Sequence, residues 1–396
     1  MRFQAPLEED VAVSFADASQ AELAPLLAAA SARRDALFGD VVTFSPKVFL
    51  PLTNLCRNRC SYCSFRKSPA EQGAYTMAHA HVLQSLDAAA AQGCTEALVC
   101  IGDKPERAFG SYRATLGEMG HQDTVDLIEW ASEAALERGL LPHTNAGVLS
   151  REDMLRLRPT NVSLGLMLES VSERLCEPDM PHHRAPDKRP ALRLAMLTEA
   201  GKLKIPVTTG ILIGIGETRL ERVESLLAIR DLHRAYGHIQ EVIVQNFMPR
   251  AGIELSAWPA PSDDEMAHAV AMARLILDDD VSVQAPPNLN PTRTELLFAA
   301  GINDFGGISP VTPDFINPNQ PWPVLAELAS QCAALGFTLQ PRLPIYPRYY
   351  ERPGYVDEGL QSRLMETQHR LRSHVFFARG EGSTELLAQG ASARCS

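Results

Sequence analysis

From Val48 onward the sequence alternates short apolar runs with longer amphipathic ones, and that alternation constrains the fold more than anything else in the chain. Strands are expected at 48–52, 95–101, 140–145, 161–169, 206–213, 241–246, 281–285 and 302–305, each an apolar run too short for a helix. Apolar residues recur at helical spacing over about 77–92, 121–138, 151–157, 189–203, 218–236, 262–277 and 291–300. An eighth helical run spans 322–335 and follows the last strand. Eight strands alternating with eight helices over roughly 290 residues is the pattern of an α/β protein of the (β/α)8 TIM-barrel type. A doubly wound open sheet is the alternative, but it rarely needs eight regular units.

We expect the barrel to occupy 45–335. An N-terminal helical extension, 1–44, would precede it, with its helix from Gln20 to Leu37. A C-terminal extension, 336–396, would follow, with Tyr346, Tyr349, Tyr350 and Tyr355 among prolines, a helical run near 356–372, and a frayed tail from Gln389. A barrel places its chemistry where strands end and loops begin. Polar side chains or glycines recur at seven such ends: Gly102-Asp103, Thr144-Asn145, Glu169-Ser170, Gly214 to Glu217, Gln245-Asn246, Asn288 and Asn303-Asp304.

The loop after the first strand carries the sharpest pattern, Cys56-Arg-Asn-Arg-Cys60-Ser-Tyr-Cys63. Eight cysteines scattered at random over 396 residues would give this spacing about 0.003 times per chain. Three thiolates on one short loop can face a common point, which suits a metal centre. Structural zinc sites and ordinary iron–sulfur clusters take four protein ligands. If no fourth comes from elsewhere, a cluster held by Cys56, Cys60 and Cys63 keeps one iron open to chemistry. A zinc site with a distant fourth ligand and a metal-free cysteine group are the alternatives. Cys94, Cys100, Cys176, Cys332 and Cys395 show no disulfide framework, which suits a reducing cytoplasm; Cys94 and Cys100 read as ordinary buried small residues.

Apolar residues make up 45% of the chain and charged residues 21%, ample for a large core. The net charge of −11 and the lack of a basic tract argue against nucleic acid as a partner and favour small-molecule chemistry. Met1 to Val13 contains Glu8, Glu9 and Asp10 without an apolar core, so a secretory signal is not expected. Nor does any stretch read as a membrane span.

The cysteine loop, with its aromatic residue before the last cysteine, closely resembles that of the radical S-adenosylmethionine (SAM) superfamily, whose members share a full or partial βα barrel. The resemblance implies a [4Fe–4S] cluster on Cys56, Cys60 and Cys63, with SAM chelating the fourth iron and yielding a 5′-deoxyadenosyl radical on reduction. It places Tyr62 beside the cluster. It also assigns Gly102 and Asp103 to the methionine end of SAM, although Gly-Asp-Lys-Pro-Glu departs from the commonest Gly-Gly-Glu form. Glu169 and Ser170 are implied at the ribose, Arg189 or neighbouring Lys188 at the SAM carboxylate, Gly214 and Gly216 along the adenine, and Gln245 on the cofactor side.

Three segments carry a closer resemblance: 44–65, 243–250 and Gly301 to Pro318. They resemble the FO synthase family of deazaflavin coenzyme biosynthesis, on the CofG side rather than that of the sister subunit CofH. This implies a lyase that takes 5-amino-5-(4-hydroxybenzyl)-6-(D-ribitylimino)-5,6-dihydrouracil, delivered by CofH, through hydrogen abstraction, ring closure and loss of ammonia. A low-potential donor such as ferredoxin or flavodoxin would supply electrons. The substrate needs many hydrogen bonds, and Thr144, Asn145, Asn246, Asn288 and Asn303 are the residues expected to make them. Asp304 is the candidate general base for the proton lost on aromatisation. His143, His182 and His183 are given no role. A CofH-like or menaquinone-pathway radical enzyme, or a noncatalytic metal-binding scaffold, is the alternative.

Overall fold

The structure is a computed structural model and describes residues 6–373; the tail from Gln389 and Cys395 lie outside that range. Eight parallel strands close into a barrel: β1 (Val41–Leu50), β2 (Glu96–Cys100), β3 (Leu141–Asn145), β4 (Ser163–Gly165), β5 (Val207–Ile213), β6 (Ile239–Asn246), β7 (Ser282–Gln284) and β8 (Asp304–Ile308). Closure is made by β1, whose upper half pairs with β2 from Lys47↔Glu96 to Leu50↔Val99 and whose lower half meets β8 at Thr43↔Asp304.

Each expected helix in the barrel forms: α3 (His79–Ala91), α5 (Thr124–Glu137), α6 (Arg151–Leu157), α7 (Pro190–Lys202), α8 (Arg219–Tyr236), α9 (Asp263–Ile276), α10 (Thr294–Ala299) and α11 (Leu325–Ala334). Local chemistry starts several of them. Ser150 with Asp153, Thr218 with Glu221, and Ser262 with Glu265 form reciprocal capping boxes at α6, α8 and α9. The N-terminal helix, α2 (Gln20–Phe38), packs on α9 and leaves Met266 to Ile276 buried throughout. Arg33 reaches the carbonyls of Arg274 (2.6 Å) and Leu277 (2.9 Å), covering the end of α9 that has no further amides to offer.

Apart from short 3-10 turns, four elements among the described residues had no counterpart among the expectations: α1 (Glu9–Ser14), α4 (Gly110–Glu118), β9 (Thr338–Pro341) and α12 (Pro347–Tyr350). The helical run expected near 356–372 forms α13 (Gln361–Ser373), preceded by a short 3-10 turn.

Several strand boundaries moved: β4, expected over 161–169, forms only as Ser163–Gly165, which leaves Glu169 and Ser170 beyond its end, and two other shifts matter more. β1 starts at Val41 rather than Val48, so the limit drawn at residue 44 falls inside a strand. Its first residues pair with β9, Val41↔Thr338 to Phe44↔Pro341, a partner almost three hundred positions away that local pattern cannot reveal. β8 begins at Asp304 instead of ending near it, because Phe305-Gly306-Gly307-Ile308 continues the strand past the residues expected to close it. Asn303 and Asp304 therefore lie at the bottom of the barrel.

Candidate active site

The loop that leaves β1 is tied down before it reaches its cysteines. Asn54 donates from its side-chain amide to the Gly73 carbonyl (2.8 Å) and accepts from the Tyr75 amide (2.9 Å). The Cys56 amide donates to the Lys67 carbonyl (3.3 Å), and the Arg59 amide to that of Arg184 (2.8 Å). Cys56, Cys60 and Cys63 then face one cavity of about 230 Å³ at the C-terminal mouth of the barrel.

The β2 end is shaped around the first cysteine. Gly102 has no side chain because a Cβ there would lie 2.7 Å from the Cys56 sulfur. The Asp103 amide donates to that sulfur at 3.3 Å, a contact that stabilises thiolate charge. The Asp103 carboxylate is buried and accepts from the Asn58 amide (2.7 Å) and the Val148 amide (2.5 Å). Burial raises its pKa, with Arg193 opposing. It locks the cysteine loop to the β3 loop.

Burial pushes the Cys56 and Cys60 thiols up to about 12, so thiolates form here together with a cation rather than alone. Among the described residues no three His, Cys, Asp or Glu side chains draw together tightly enough for a single ion. The three sulfurs instead line an open cavity, with an amide donor and a glycine cut-out at Cys56. The donor set and its room fit a cluster larger than one ion.

Across the cavity stand Glu169, Lys188 and Arg193. Glu169 adopts φ 68°, a left-handed conformation costly for a residue with a side chain. Its carboxylate is ion-paired with Lys188, and both are largely buried. Arg193, from α7, donates to the Met167 carbonyl (2.6 Å) and the Asp187 carbonyl (3.2 Å). Tyr62 Oη and His182 Nε2 share a hydrogen bond (3.0 Å), and burial, helped by Lys188, keeps His182 neutral by lowering its pKa far below the usual value. That bond holds Tyr62 against Leu175, Leu212, Ile215 and Phe247.

The cavity brings together Cys56, Cys60, Cys63, Tyr62, Gly102, Asp103, Asn145, Glu169, Gln245 and Asn246 as expected. It leaves others aside. Arg189 caps α7 on the exposed surface, and Lys188 and Arg193 supply the positive charge in its place. Thr144 points outward to Asn161 (2.7 Å), and Ser170 accepts from the Ser172 amide (3.1 Å). Gly214 and Gly216 form a turn closed by Glu217, which accepts from the Gly214 and Ile215 amides at 2.8 and 2.9 Å; neither glycine lines the cavity.

Asn288 donates to Asp314 (2.8 Å), and Asn303 accepts from Arg274 and the Val283 amide at the barrel base. Asp304 accepts from Arg342 at 2.6 and 2.9 Å and from Tyr346 at 3.0 Å, at the opposite end from the cysteines. It is a buried ion-pair partner, not a base within reach of the cavity. Cys100, read as plain core, faces the cavity from the end of β2. Arg193, Arg250, Ile316 and Asn317 were not singled out; Arg193 lies one helical turn beyond Arg189, and periodicity could have found it.

The radical SAM superfamily profile matches residues 50–229. The 7,8-didemethyl-8-hydroxy-5-deazariboflavin synthase of Methanopyrus kandleri is 45% identical over 340 residues, covering 86% of this chain and 100% of that protein. The chain belongs to the 7,8-didemethyl-8-hydroxy-5-deazariboflavin synthase family. The synthase of Methanoculleus marisnigri is 49% identical over 329 residues, covering 82% of this chain and 96% of its own. The FO synthase of Nocardia farcinica is 45% identical over 355 residues, but this chain spans only 41% of it. In fold, the FeFe-hydrogenase maturase HydG of Carboxydothermus hydrogenoformans superposes with a TM-score of 0.68 at 20% identity, over 97% of this chain and 84% of its own. Methylornithine synthase gives 0.64 at 19% identity, over 85% and 94%. No helix among the described residues is long and apolar enough to cross a membrane.

Proposed function

We propose that the chain forms 7,8-didemethyl-8-hydroxy-5-deazariboflavin (FO) from the hydroxybenzyl-ribitylimino-dihydrouracil by radical ring closure and loss of ammonia. The observation that carries this is the facing of three loop cysteines and a buried Lys188–Glu169–Arg193 group across one cavity, in a chain 45–49% identical to two synthases of that name. When bound, a [4Fe–4S] cluster and SAM supply a carbon-centred radical that takes a hydrogen atom from the substrate.

The chain's own residues do the rest. Cys56, Cys60 and Cys63 hold the iron, and Gly102 and the Asp103 amide shape the surroundings of Cys56. Arg193 and Lys188 provide charge for the SAM carboxylate, and Glu169 provides an acceptor for its ammonium or ribose. Tyr62, pinned by His182, screens the centre. Asn145, Gln245 and Asn246 offer hydrogen bonds to the substrate rings, while Met167, Leu212, Phe247 and Ile316 keep water from the reacting atoms. The substrate would come from a CofH partner in the cytoplasm, and electrons from ferredoxin or flavodoxin. The length of the Nocardia FO synthase beyond the matched portion leaves room for a fused second activity.

The test is anaerobic incubation of the reconstituted protein with SAM, dithionite and the precursor, following FO fluorescence and 5′-deoxyadenosine. Both should appear, and omission of the precursor should give no FO. SAM cleavage without FO would assign another substrate; no SAM cleavage would end the radical reading.

A further inference from the structure

Below the cysteine-lined cavity lies a second space of about 90 Å³ inside the barrel. Asn145 and Met167 line both, so the two are stacked along the axis. Side chains on a strand face the same way every second residue, about 7 Å apart. The inward columns pass from one space to the other accordingly: Glu96 to Cys100 on β2, His143 to Asn145 on β3, and Glu241 to Gln245 on β6.

The lower layer is unlike an ordinary barrel core, which fills with Val, Ile and Leu. Six strands each contribute a polar side chain: Lys47, Glu96, His143, Thr208, Glu241 and Gln284. Glycines make room for them. A Cβ on Gly165 would lie 2.8 Å from His143 Nε2, one on Gly307 would lie 2.5 Å from Lys47 Nζ, and one on Gly306 would overlap the Gln284 amide.

Several of these groups make no hydrogen bond within the protein. Lys47, His143 and Gln284 are each only 7% exposed. Among the described residues the Lys47 ammonium makes no hydrogen bond or salt bridge and lies over the Trp322 ring (5.0 Å) and the Phe49 ring (5.5 Å), and no hydrogen bond is made by the Gln284 amide, the Asn145 side-chain amide or His143 Nε2. Polar groups that open onto one space without hydrogen bonds to the protein are free to bond a ligand placed there. Their polarity can be read off. Ser163 donates its proton to the Pro344 carbonyl (2.7 Å), so His143 Nδ1 donates to Ser163 (2.6 Å). Burial lowers the pKa of His143 to about 4, the ring is neutral, and Nε2 is left as an acceptor. Lys47 donates, and the two amides do both.

No excess of positive charge builds up there. Burial raises the pKa of Glu241, with Arg342 opposing, while burial of Asp304 is outweighed by Arg342, which lowers its pKa. Lys47 and Arg342 face Glu96, Glu241 and Asp304.

We propose that this chamber is a second binding subsite for a neutral, polyhydroxylated chain, and that it holds the sugar-alcohol arm of the substrate. Hydroxyls both donate and accept, which matches the mixture of free donors and acceptors on the wall; an anionic group would meet Glu96 and the His143 lone pair. The inference rests on the functional reading above.

Its test uses the reconstituted holoenzyme and the fluorescent product. Binding of FO is compared by fluorescence titration with binding of the same tricycle carrying a methyl group in place of the sugar alcohol. Wild type should bind the methyl compound at least roughly tenfold more weakly, since a site built for hydroxyls rejects a ligand without them. Gln284→Leu and Lys47→Met should each weaken FO binding roughly tenfold and shift the methyl compound by less than about twofold. Iron content and circular dichroism report whether each variant has folded. Equal loss on both ligands, no discrimination by wild type, or no binding of either would overturn the chamber assignment. Failure of the functional reading shows separately, as a wild type that makes no FO in the turnover assay.

Discussion

At the scale of single residues, the cluster loop depends on what is missing at Gly102. Because a side chain there would press on the Cys56 sulfur, Gly102→Ala should lower iron and sulfide per chain after reconstitution by more than half, with an unchanged circular dichroism spectrum. Full iron loading would refute the close-packing argument. His143 makes a second prediction. Buried and neutral, it titrates at about 4 in the folded chain against an ordinary 6.5, so the unfolded chain binds the proton first and stability falls as pH drops from 6.5 toward 4. His143→Gln can keep the bond to Ser163 without the titration. Between pH 7 and pH 4 the stability difference should move by about 3 kcal/mol in favour of the variant. Urea unfolding of both proteins at the two pH values measures this, and parallel curves would contradict it.

At the scale of elements, β8 decides how Asp304 is understood. As the first residue of that strand it ties the barrel base to the C-terminal extension through Arg342 and Tyr346. Asp304→Asn should therefore cost roughly 3–5 kcal/mol of stability by leaving Arg342 short of a counter-charge. The folded fraction should still convert substrate. Loss of turnover in a fully stable variant would restore Asp304 as a base.

The same element shows what sequence could and could not tell. Apolar runs and helical periods revealed the eightfold alternation, because each element carries its own pattern of burial. Spacing revealed the three cysteines. Which of two adjacent polar residues faces inward depends on register with neighbouring strands. Asn145 was thus found together with Thr144, although only Asn145 lines the cavity. The ring of Lys47, Glu96, His143, Glu241 and Gln284 went unseen for a related reason. Each comes from a different strand, and only closure of the barrel makes them a set.

At the scale of the whole molecule, the extension after α11 is the floor of the barrel. β9 extends the sheet along the lower part of β1, and Arg342 reaches Glu241 (2.7 Å) as well as Asp304 from below. Arg342→Met should lower the unfolding midpoint more than Arg293→Met, whose side chain pairs with the largely exposed Asp263. Similar midpoints for the two variants would mean that the buried ion pairs of the floor add no more stability than a surface pair.

A closed floor also sets traffic. If the sugar-alcohol arm rests in the lower chamber and SAM occupies the mouth above it, the deeper ligand has to enter before the shallower one. The fragments of SAM then have to depart before the deazaflavin does. Steady-state kinetics should show a compulsory order, with FO competing against its precursor but not against SAM. Random-order kinetics would place a second doorway in the wall. A vessel with one opening fills from the bottom and empties from the top.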